Sequence, residues 1–323
     1  MKTVLINPGK EHEGNLDARA AAPPLGLLYI ASNLVKNGYD VKVIDQLGSS
    51  INDDELINQV KHYDPDLIGF STMGIQTISA GRVTDKLKTV LPNSRVVFGG
   101  IAPTFSAEPI MKKYSNVDYC IKGEGEYSTI ELIKALKNKA FSKVHGLVYR
   151  AGKRLKEGLP RKLIEDLDSL PFPDRDLVKN VKYGAISGLK VDGFTSILSS
   201  RGCPHACKYC CCNALVKRRW RARSINSVLD ELELIQSEGY NNVLFFDDGL
   251  TINNNRLLKM CDGIKQRGLK LNWFFEGRVD NVKEDVLKQM ARAGAKVCYF
   301  GAESANQHVL DYYKKGITPQ QTI

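Results

Sequence analysis

Ser200-Arg-Gly-Cys-Pro-His-Ala-Cys-Lys-Tyr-Cys210 is the stretch on which the reading of this chain turns. Cys203, Cys207 and Cys210 are spaced C-x3-C-x2-C, and an aromatic residue, Tyr209, precedes the third. Three thiolates on one tight loop can hold three irons of a cubane cluster. The fourth iron is then left without a protein ligand and is open to a small molecule. Spacing alone leaves alternatives. A structural zinc ion could recruit Cys211 or Cys212 as a fourth ligand, although such sites usually use two C-x2-C pairs. Cys207 and Cys210 also spell a dithiol C-x-x-C.

Working outward, Thr195–Ser200 reads as a strand that runs into the cysteine loop. Ser224 can cap a helix reaching about Ser237. Strands are expected at Asn242–Asp247, Leu271–Glu276 and Lys296–Phe300. Helices are expected at Arg256–Arg267 and Asp285–Arg292, with another starting at Gln307. Repeats of this length predict a (β/α) barrel, whose chemistry sits at the carboxyl ends of the strands. Polar residues collect at those ends: the cysteine loop, Asp247-Asp248-Gly249, Glu276 with Arg278, and Glu303-Ser304.

Residues 1–139 alternate strand and helix as well. Strands are expected at Thr3–Asn7, Asp40–Asp45, Leu67–Ser71, Arg95–Phe98 and Tyr119–Lys122. Helices are expected at Pro24–Asn37, Asp53–His62, Thr77–Leu91, Ser106–Tyr114 and Glu126–Asn138. Five such units predict a doubly wound parallel sheet of Rossmann or flavodoxin type, with ligands bound where strands end. Those ends carry Pro8-Gly9, Ser71-Thr72, Gly99-Gly100 and Gly123-Glu124-Gly125-Glu126. No G-x-G-x-x-G follows the first strand, so a dinucleotide is not favoured. Residues 140–192 read as a connector: a hairpin around Ala151-Gly152-Lys153, then a proline-containing linker. Residues 193–323 form the second domain.

The composition is that of a globular protein, with 43% hydrophobic and 25% charged residues among 323. No apolar run reaches the roughly 20 residues of a membrane span, and the first residues do not read as a signal peptide; a cytoplasmic location is expected. The net charge of +10 is densest at Lys217-Arg-Arg-Trp-Arg-Ala-Arg223. No nucleic-acid module accompanies that run, and nucleic acid is not expected as a partner, although an RNA-modifying enzyme is one alternative. Of eight cysteines, five fall between 203 and 212. Cys120, Cys261 and Cys298 read as buried packing residues, and Cys211 and Cys212 as packing or exposed thiols without a role.

The cysteine loop resembles that of the radical S-adenosylmethionine enzymes, and the resemblance extends along most of the chain. Pro23-Pro-Leu-Gly-Leu-Leu-Tyr-Ile-Ala-Ser-Asn-Leu34, Gly38–Asp45, Gly99-Gly100 with Pro103-Thr104, and Gly123–Glu126 are similar to the cobalamin-binding members. So are Ser200–Pro204, Phe245–Asp248, Gly277-Arg278, Phe300–Ser304 and Lys315-Gly-Ile-Thr318. The resemblance implies a [4Fe–4S] cluster on Cys203, Cys207 and Cys210. It implies S-adenosylmethionine contacts at Tyr209, whose ring lies against the adenine, at Asp247 and Asp248, which accept from the ammonium, at Arg278, which pairs with the carboxylate, at Glu303 and Ser304, which reach the ribose or the carboxylate, and at Gly249 and Glu276. It implies cobalamin against Pro8, Gly9, Ser71, Thr72, Gly99, Gly100, Thr104, Gly123, Glu124, Gly125 and Glu126. The Asp-x-His-x-x-Gly element of classical cobalamin enzymes is absent; His12 lacks its Asp. About four of the family's six barrel strands precede Ile323, so the barrel is expected to be partial. The implied chemistry is methylation of an unactivated carbon in a small-molecule substrate, with cyclisation or rearrangement as the alternative and a non-catalytic cluster protein as a further one. The implied partner is a flavodoxin- or ferredoxin-type electron donor.

Overall fold

The computed structural model describes residues 1–9, 22–186 and 189–323; His12 lies outside them. The chain divides into two units, Met1–Ile164 with Leu170–Gly188, and Glu165–Ser169 with Leu189–Ile323.

In the first unit, strands and helices alternate as β1 (Lys2–Asn7), α1 (Leu25–Lys36), β2 (Asp40–Asp45), α2 (Gln46–Ser49), α3 (Asp53–Tyr63), β3 (Leu67–Ser71), α4 (Gln76–Val90), β4 (Arg95–Gly99), α5 (Ile101–Lys113), β5 (Tyr119–Ile121) and α6 (Glu126–Asn138). The hairpin β6 (Leu147–Ala151) and β7 (Arg154–Glu157) follows. The sheet order is β2-β1-β3-β4-β5-β6-β7. The first five strands are parallel. The hairpin expected in the connector is instead the antiparallel edge of this sheet, with Cys120 opposite Val148. Its own sequence shows a hairpin but not which strand it pairs with.

The strands bury alternate residues on opposite faces. Val4, Ile6, Ile68, Phe70, Val96 and Phe98 pack with Leu56, Val60, Val83, Leu87 and Met111 of α3, α4 and α5. Leu5 and Val97 point the other way and are also buried, as are Leu28 and Leu34 of α1 and Leu132 and Ile133 of α6. Each such side chain contributes about 1.5–3 kcal/mol relative to exposure. The chain moves from β1 outward to β2 and then returns to the other side of β1 with β3. The β1/β3 boundary is therefore the switch point, where a crevice opens at the strand ends.

The two-residue strands β8 (Ala185–Ile186) and β9 (Leu189–Lys190) mark the passage to the second unit. There β10 (Phe194–Ile197), β11 (Ser200–Arg201), α7 (Cys211–Val216), β12 (Arg221–Ala222), α8 (Ile225–Ser237), β13 (Asn242–Phe245), α9 (Asn254–Gln266), β14 (Asn272–Gly277), α10 (Glu284–Arg292), β15 (Ala295–Phe300) and α11 (Gln307–Tyr312) follow. Strands β10-β13-β14-β15 lie in chain order, all parallel. Trp273 anchors their core: its ring lies 5.4 Å from Phe245 and 5.5 Å from Phe275, and its indole N–H donates to the Ala293 carbonyl at 2.9 Å.

The strand expected to run unbroken from Thr195 to Ser200 ends at Ile197. Ser200-Arg201 leaves it to pair antiparallel with Arg221-Ala222, which closes the base of the cysteine loop. Helix α5 starts at Ile101 rather than Ser106. Pro103 falls in its first turn, where a missing N–H costs nothing, and the chain kinks at Ser106.

Candidate metal centre and cofactor sites

The cysteine loop is set by its first glycine. Gly202 has φ +87° and would drive a Cβ into the Arg219 carbonyl. Its N–H donates to Asp248 Oδ2 at 2.8 Å, so the end of β13 pins the start of the loop. Arg218 Nε donates to the Pro204 carbonyl at 2.9 Å, and Lys208 N–H to the Tyr313 carbonyl at 2.9 Å. The Cys210 N–H reaches the Cys207 carbonyl at 3.2 Å. All three cysteines are free thiols; Cys207 is buried, Cys203 half-buried and Cys210 exposed. Burial pushes the Cys203 thiol above its ordinary pKa, opposed by the His205 backbone N–H and the charge of Arg278. A coordinated iron would deprotonate such a thiol. Three thiols on one braced loop, one buried and one exposed, are a donor set that fits a cubane with one uncovered iron.

Asp247 and Asp248, adjacent in sequence, part company here. Asp247 is buried, and its Oδ1 accepts from the Ser199 N–H at 2.8 Å. Its Oδ2 accepts from the hydroxyls of Ser199 (2.7 Å) and Ser200. Burial raises its pKa against these donors. The expectation that Asp247 receives a ligand's ammonium is therefore corrected: its oxygens are spent on the turn between β10 and β11. Asp248 is exposed and combines its bond to Gly202 with one to Cys212, whose pKa is raised chiefly by burial and then by Asp248. Behind them Arg256 donates to Ser199 Oγ (3.1 Å), the Ser199 carbonyl (3.0 Å) and the Arg223 carbonyl (3.1 Å). Arg223 in turn pairs with the buried Glu231.

Tyr209, Glu303 and Lys315 come together. Lys315, buried to 6% exposure, places its Nζ 2.8 Å from Glu303 Oε1 and 5.9 Å from the Tyr209 ring centre. The Tyr209 hydroxyl also bonds Glu303, and burial followed by that bond raises its pKa. The Lys315 hydrogen bond chiefly lowers the Glu303 pKa. The ring meets Tyr313 edge-on at 5.4 Å and is 46% exposed, so an aromatic surface is presented beside Cys210. Glu303 itself has φ +62°, a conformation that costs a non-glycine residue about 1–3 kcal/mol. Ser304 instead receives the Asn306 N–H at 3.0 Å as α11 begins. Glu276 stands exposed at the end of β14, and Gly249, in the loop beyond β13, precedes a buried 3-10 turn.

Arg278 departs from its expected role. Its Nε and Nη2 fork onto Asp280 at 2.9 and 2.8 Å, and Nη2 also donates to the Lys315 carbonyl at 2.7 Å. Nη1 points to Cys207 Sγ at 3.8 Å. The sequence alone assigns no role to Asp280, Lys315 or Tyr313. The signals available were an acid two residues after Arg278 and the matched Lys315-Gly-Ile-Thr318.

In the first unit the switch-point loops are tightly braced. The Gly9 N–H donates to Gln46 Oε1 at 2.9 Å, and Gln76 Nε2 donates to the Pro8 carbonyl at 2.9 Å. Thr72, fully buried, donates its N–H to the Gly99 carbonyl at 2.8 Å. Thr104 Oγ1 donates to the Gly100 carbonyl (2.7 Å) and accepts from the Gly123 N–H (2.9 Å). Glu124 Oε2 accepts from the Ile164 N–H at 2.6 Å, and Glu126 is buried. Thr72, whose Oγ1 also reaches the Gly99 carbonyl at 3.3 Å, and Glu124 are thus turned to bracing the loops. Gly100, at φ +96°, would bring a Cβ to 2.8 Å from the Thr72 carbonyl, so backbone comes close here as only glycine permits. Met73 (57% exposed), Ile75 (61%) and Phe105 (49%) follow the β3 and β4 exits. Exposed apolar side chains beside bare glycine backbone fit a broad, flat, largely apolar macrocycle such as a corrin.

Comparison with known proteins agrees with both halves. The B12 binding domain model matches residues 15–133, and the radical SAM superfamily model matches residues 197–323. An uncharacterized methyltransferase of Pyrococcus horikoshii is 35% identical over all of this chain, which spans 70% of that relative. An anaerobic magnesium-protoporphyrin IX monomethyl ester cyclase of Synechocystis is 30% identical over 98% of the chain and 64% of its own length. A solved cobalamin-dependent S-adenosylmethionine radical enzyme, with aqua-cobalamin and S-adenosylmethionine bound, superposes with TM-score 0.83 over 99% of this chain and 46% of its own. At 23% identity that likeness concerns the fold. This chain belongs to the radical S-adenosylmethionine superfamily, in the class that carries a B12-binding domain before the radical domain. The cofactors of that class are a [4Fe–4S] cluster, S-adenosylmethionine and cobalamin.

Proposed function

We propose that the chain carries the cofactor-binding framework of a cobalamin-dependent radical methyltransferase acting on an unactivated carbon of a small molecule. The observation that supports this best is the braced three-thiol loop at the end of a parallel strand, in a chain that also carries a B12-binding domain. When bound, the cluster would supply the electron for reductive cleavage of S-adenosylmethionine and hence radical chemistry at a substrate C–H bond, and methylcobalamin would supply the methyl group. Cys203, Cys207 and Cys210 would hold the cluster. Tyr209 would present its ring to the adenine. Glu303 and Glu276, exposed at strand ends, would take hydroxyl or ammonium donors, with Ser304 and Gly249 lining the same rim. Pro8, Gly9, Ser71, Gly99, Gly100, Gly123 and Gly125 would admit the corrin by close backbone approach, with Thr104 holding two of those loops together. An acidic electron donor of flavodoxin or ferredoxin type suits the exposed Lys208, Lys217 and Arg218 around the loop. Among the described residues no helix is long and apolar enough to cross a membrane; the cytoplasm is the compartment proposed.

Radical cyclisation is the second reading, favoured by the 30% identical cyclase. Anaerobic reconstitution with iron, sulfide and hydroxocobalamin separates the two. Iron and sulfide content, the corrinoid spectrum and 5′-deoxyadenosine formation would be read together. Cluster and 5′-deoxyadenosine without retained corrinoid would remove methyl transfer. Absence of a cluster would remove both readings.

A further inference from the structure

Arg278 is held from three sides, and what remains of it faces a cluster ligand. Its Nε/Nη2 edge, the edge that matches a carboxylate bidentately, is filled by Asp280 at 2.9 and 2.8 Å. The same Nη2 is tied to the Lys315 carbonyl at 2.7 Å. That carbonyl is itself fixed, because the Lys315 N–H donates to Leu310 at 2.9 Å and its Nζ to Glu303 at 2.8 Å. The side chains of Arg278 and Asp280 are only 12% and 18% exposed. The guanidinium therefore has little freedom to turn toward a methionine carboxylate. Its Nη1 is left directed at Cys207 Sγ, 3.8 Å away.

We propose that Arg278, aimed by Asp280 and the Lys315 carbonyl, is a positioning and tuning residue for the cluster: it donates an N–H to the Cys207 thiolate and raises the cluster's reduction potential. This rests on the reading that Cys203, Cys207 and Cys210 hold a [4Fe–4S] cluster. Adding one electron to a cluster increases negative charge on its sulfurs. A nearby N–H donor and positive charge stabilise that reduced state more than the oxidised one. Asp280 moderates the effect, since its carboxylate offsets part of the guanidinium charge in a poorly solvated place.

The test is an EPR-monitored redox titration of the reconstituted full chain, without S-adenosylmethionine, for wild type, Arg278→Gln, Arg278→Lys and Asp280→Asn. Iron and sulfide content would be measured alongside. Arg278→Gln is expected to move the midpoint to lower potential with cluster content kept. Arg278→Lys is expected to move it less, in the same direction, and Asp280→Asn to move it upward. An unchanged midpoint in Arg278→Gln would overturn the proposal; a weakened spectral change in that variant when S-adenosylmethionine is then added would return Arg278 to the carboxylate. Cluster loss in Arg278→Gln together with a wild-type midpoint in Arg278→Lys would also overturn it, leaving a purely structural brace. Failure of wild type to assemble any cluster would instead overturn the underlying functional reading.

Discussion

At the scale of single residues, Gly202 shows how little freedom the cluster loop has. Gly202→Ala forces a left-handed non-glycine residue, costing about 1–3 kcal/mol, and adds a collision with the Arg219 carbonyl. Denaturant unfolding of the second unit should show at least that loss, and reconstituted iron content should fall with it. Replacing Cys203, Cys207 or Cys210 singly by Ala should abolish the cluster absorbance. Cys211→Ala should leave it intact, because Cys211 is exposed at the start of α7, outside the three-thiol spacing. The thiol spacing was legible in the sequence. The division between Asp247 and Asp248 was not, since both lie in the loop past β13, which ends at Phe245, and only the fold shows which faces inward. Glu303 adds a pH dependence. Its pKa is lowered from an ordinary 4.5, chiefly by Lys315. The pair therefore contributes stability that is complete above about 4.5 and is lost as pH falls through the lower folded value. Thermal melts across this acid range should show that limb in wild type and lack it in Glu303→Gln. The effect should be small, because the site is partly solvated.

At the scale of elements, the ribbon of β11 and β12 is the piece that sequence reading missed. Two-residue strands carry no periodicity, and their pairing joins residues on either side of the cysteine loop. What holds the ribbon is the polar network beneath it, from Asp247 through Ser199 and Arg256 to Arg223 and Glu231. Arg223 and Glu231 are 4% and 0% exposed. Removing one member of a buried pair leaves an uncompensated charge, so Glu231→Gln should destabilise the second unit by about 3–5 kcal/mol. Urea unfolding followed by Trp fluorescence would measure it, since Trp273 lies in that core. The first-unit hairpin makes the same point in a milder way. Its turn was readable at Gly152, with φ +62°, but its docking onto β5 depends on residues far away along the chain.

At the scale of the whole molecule, two units with separate cores were readable from the two runs of alternating strand and helix. Their border was not. Glu165–Ser169, in the middle of the expected linker, belongs to the second unit. Arg219 forks onto Glu165 at 2.8 and 2.6 Å, and Asp168 accepts the Ser224 N–H at 3.0 Å, at the start of α8. These contacts are exposed, so Glu165→Ala and Asp168→Ala should each lower the second unit's stability by at most about 1 kcal/mol. Differential scanning calorimetry should show the shift in the second unit's transition and none in the first.

The sequence by itself determined the three-cysteine spacing, the two runs of alternating strand and helix, and the glycines at their strand ends. Those follow from local spacing, hydrophobic period and backbone permissiveness, all of which are written within a few residues. The tertiary structure decided which polar side chains face the site. It turned Asp247 and Thr72 inward, brought Lys315 back to Glu303 and Tyr209, and tied Arg278 to Asp280 and the Lys315 carbonyl so that it faces Cys207. The physical reason is that a buried polar group must find its partner wherever the packed chain supplies one, and the Lys315 carbonyl on Arg278 and the serines on Asp247 come from elements distant in sequence.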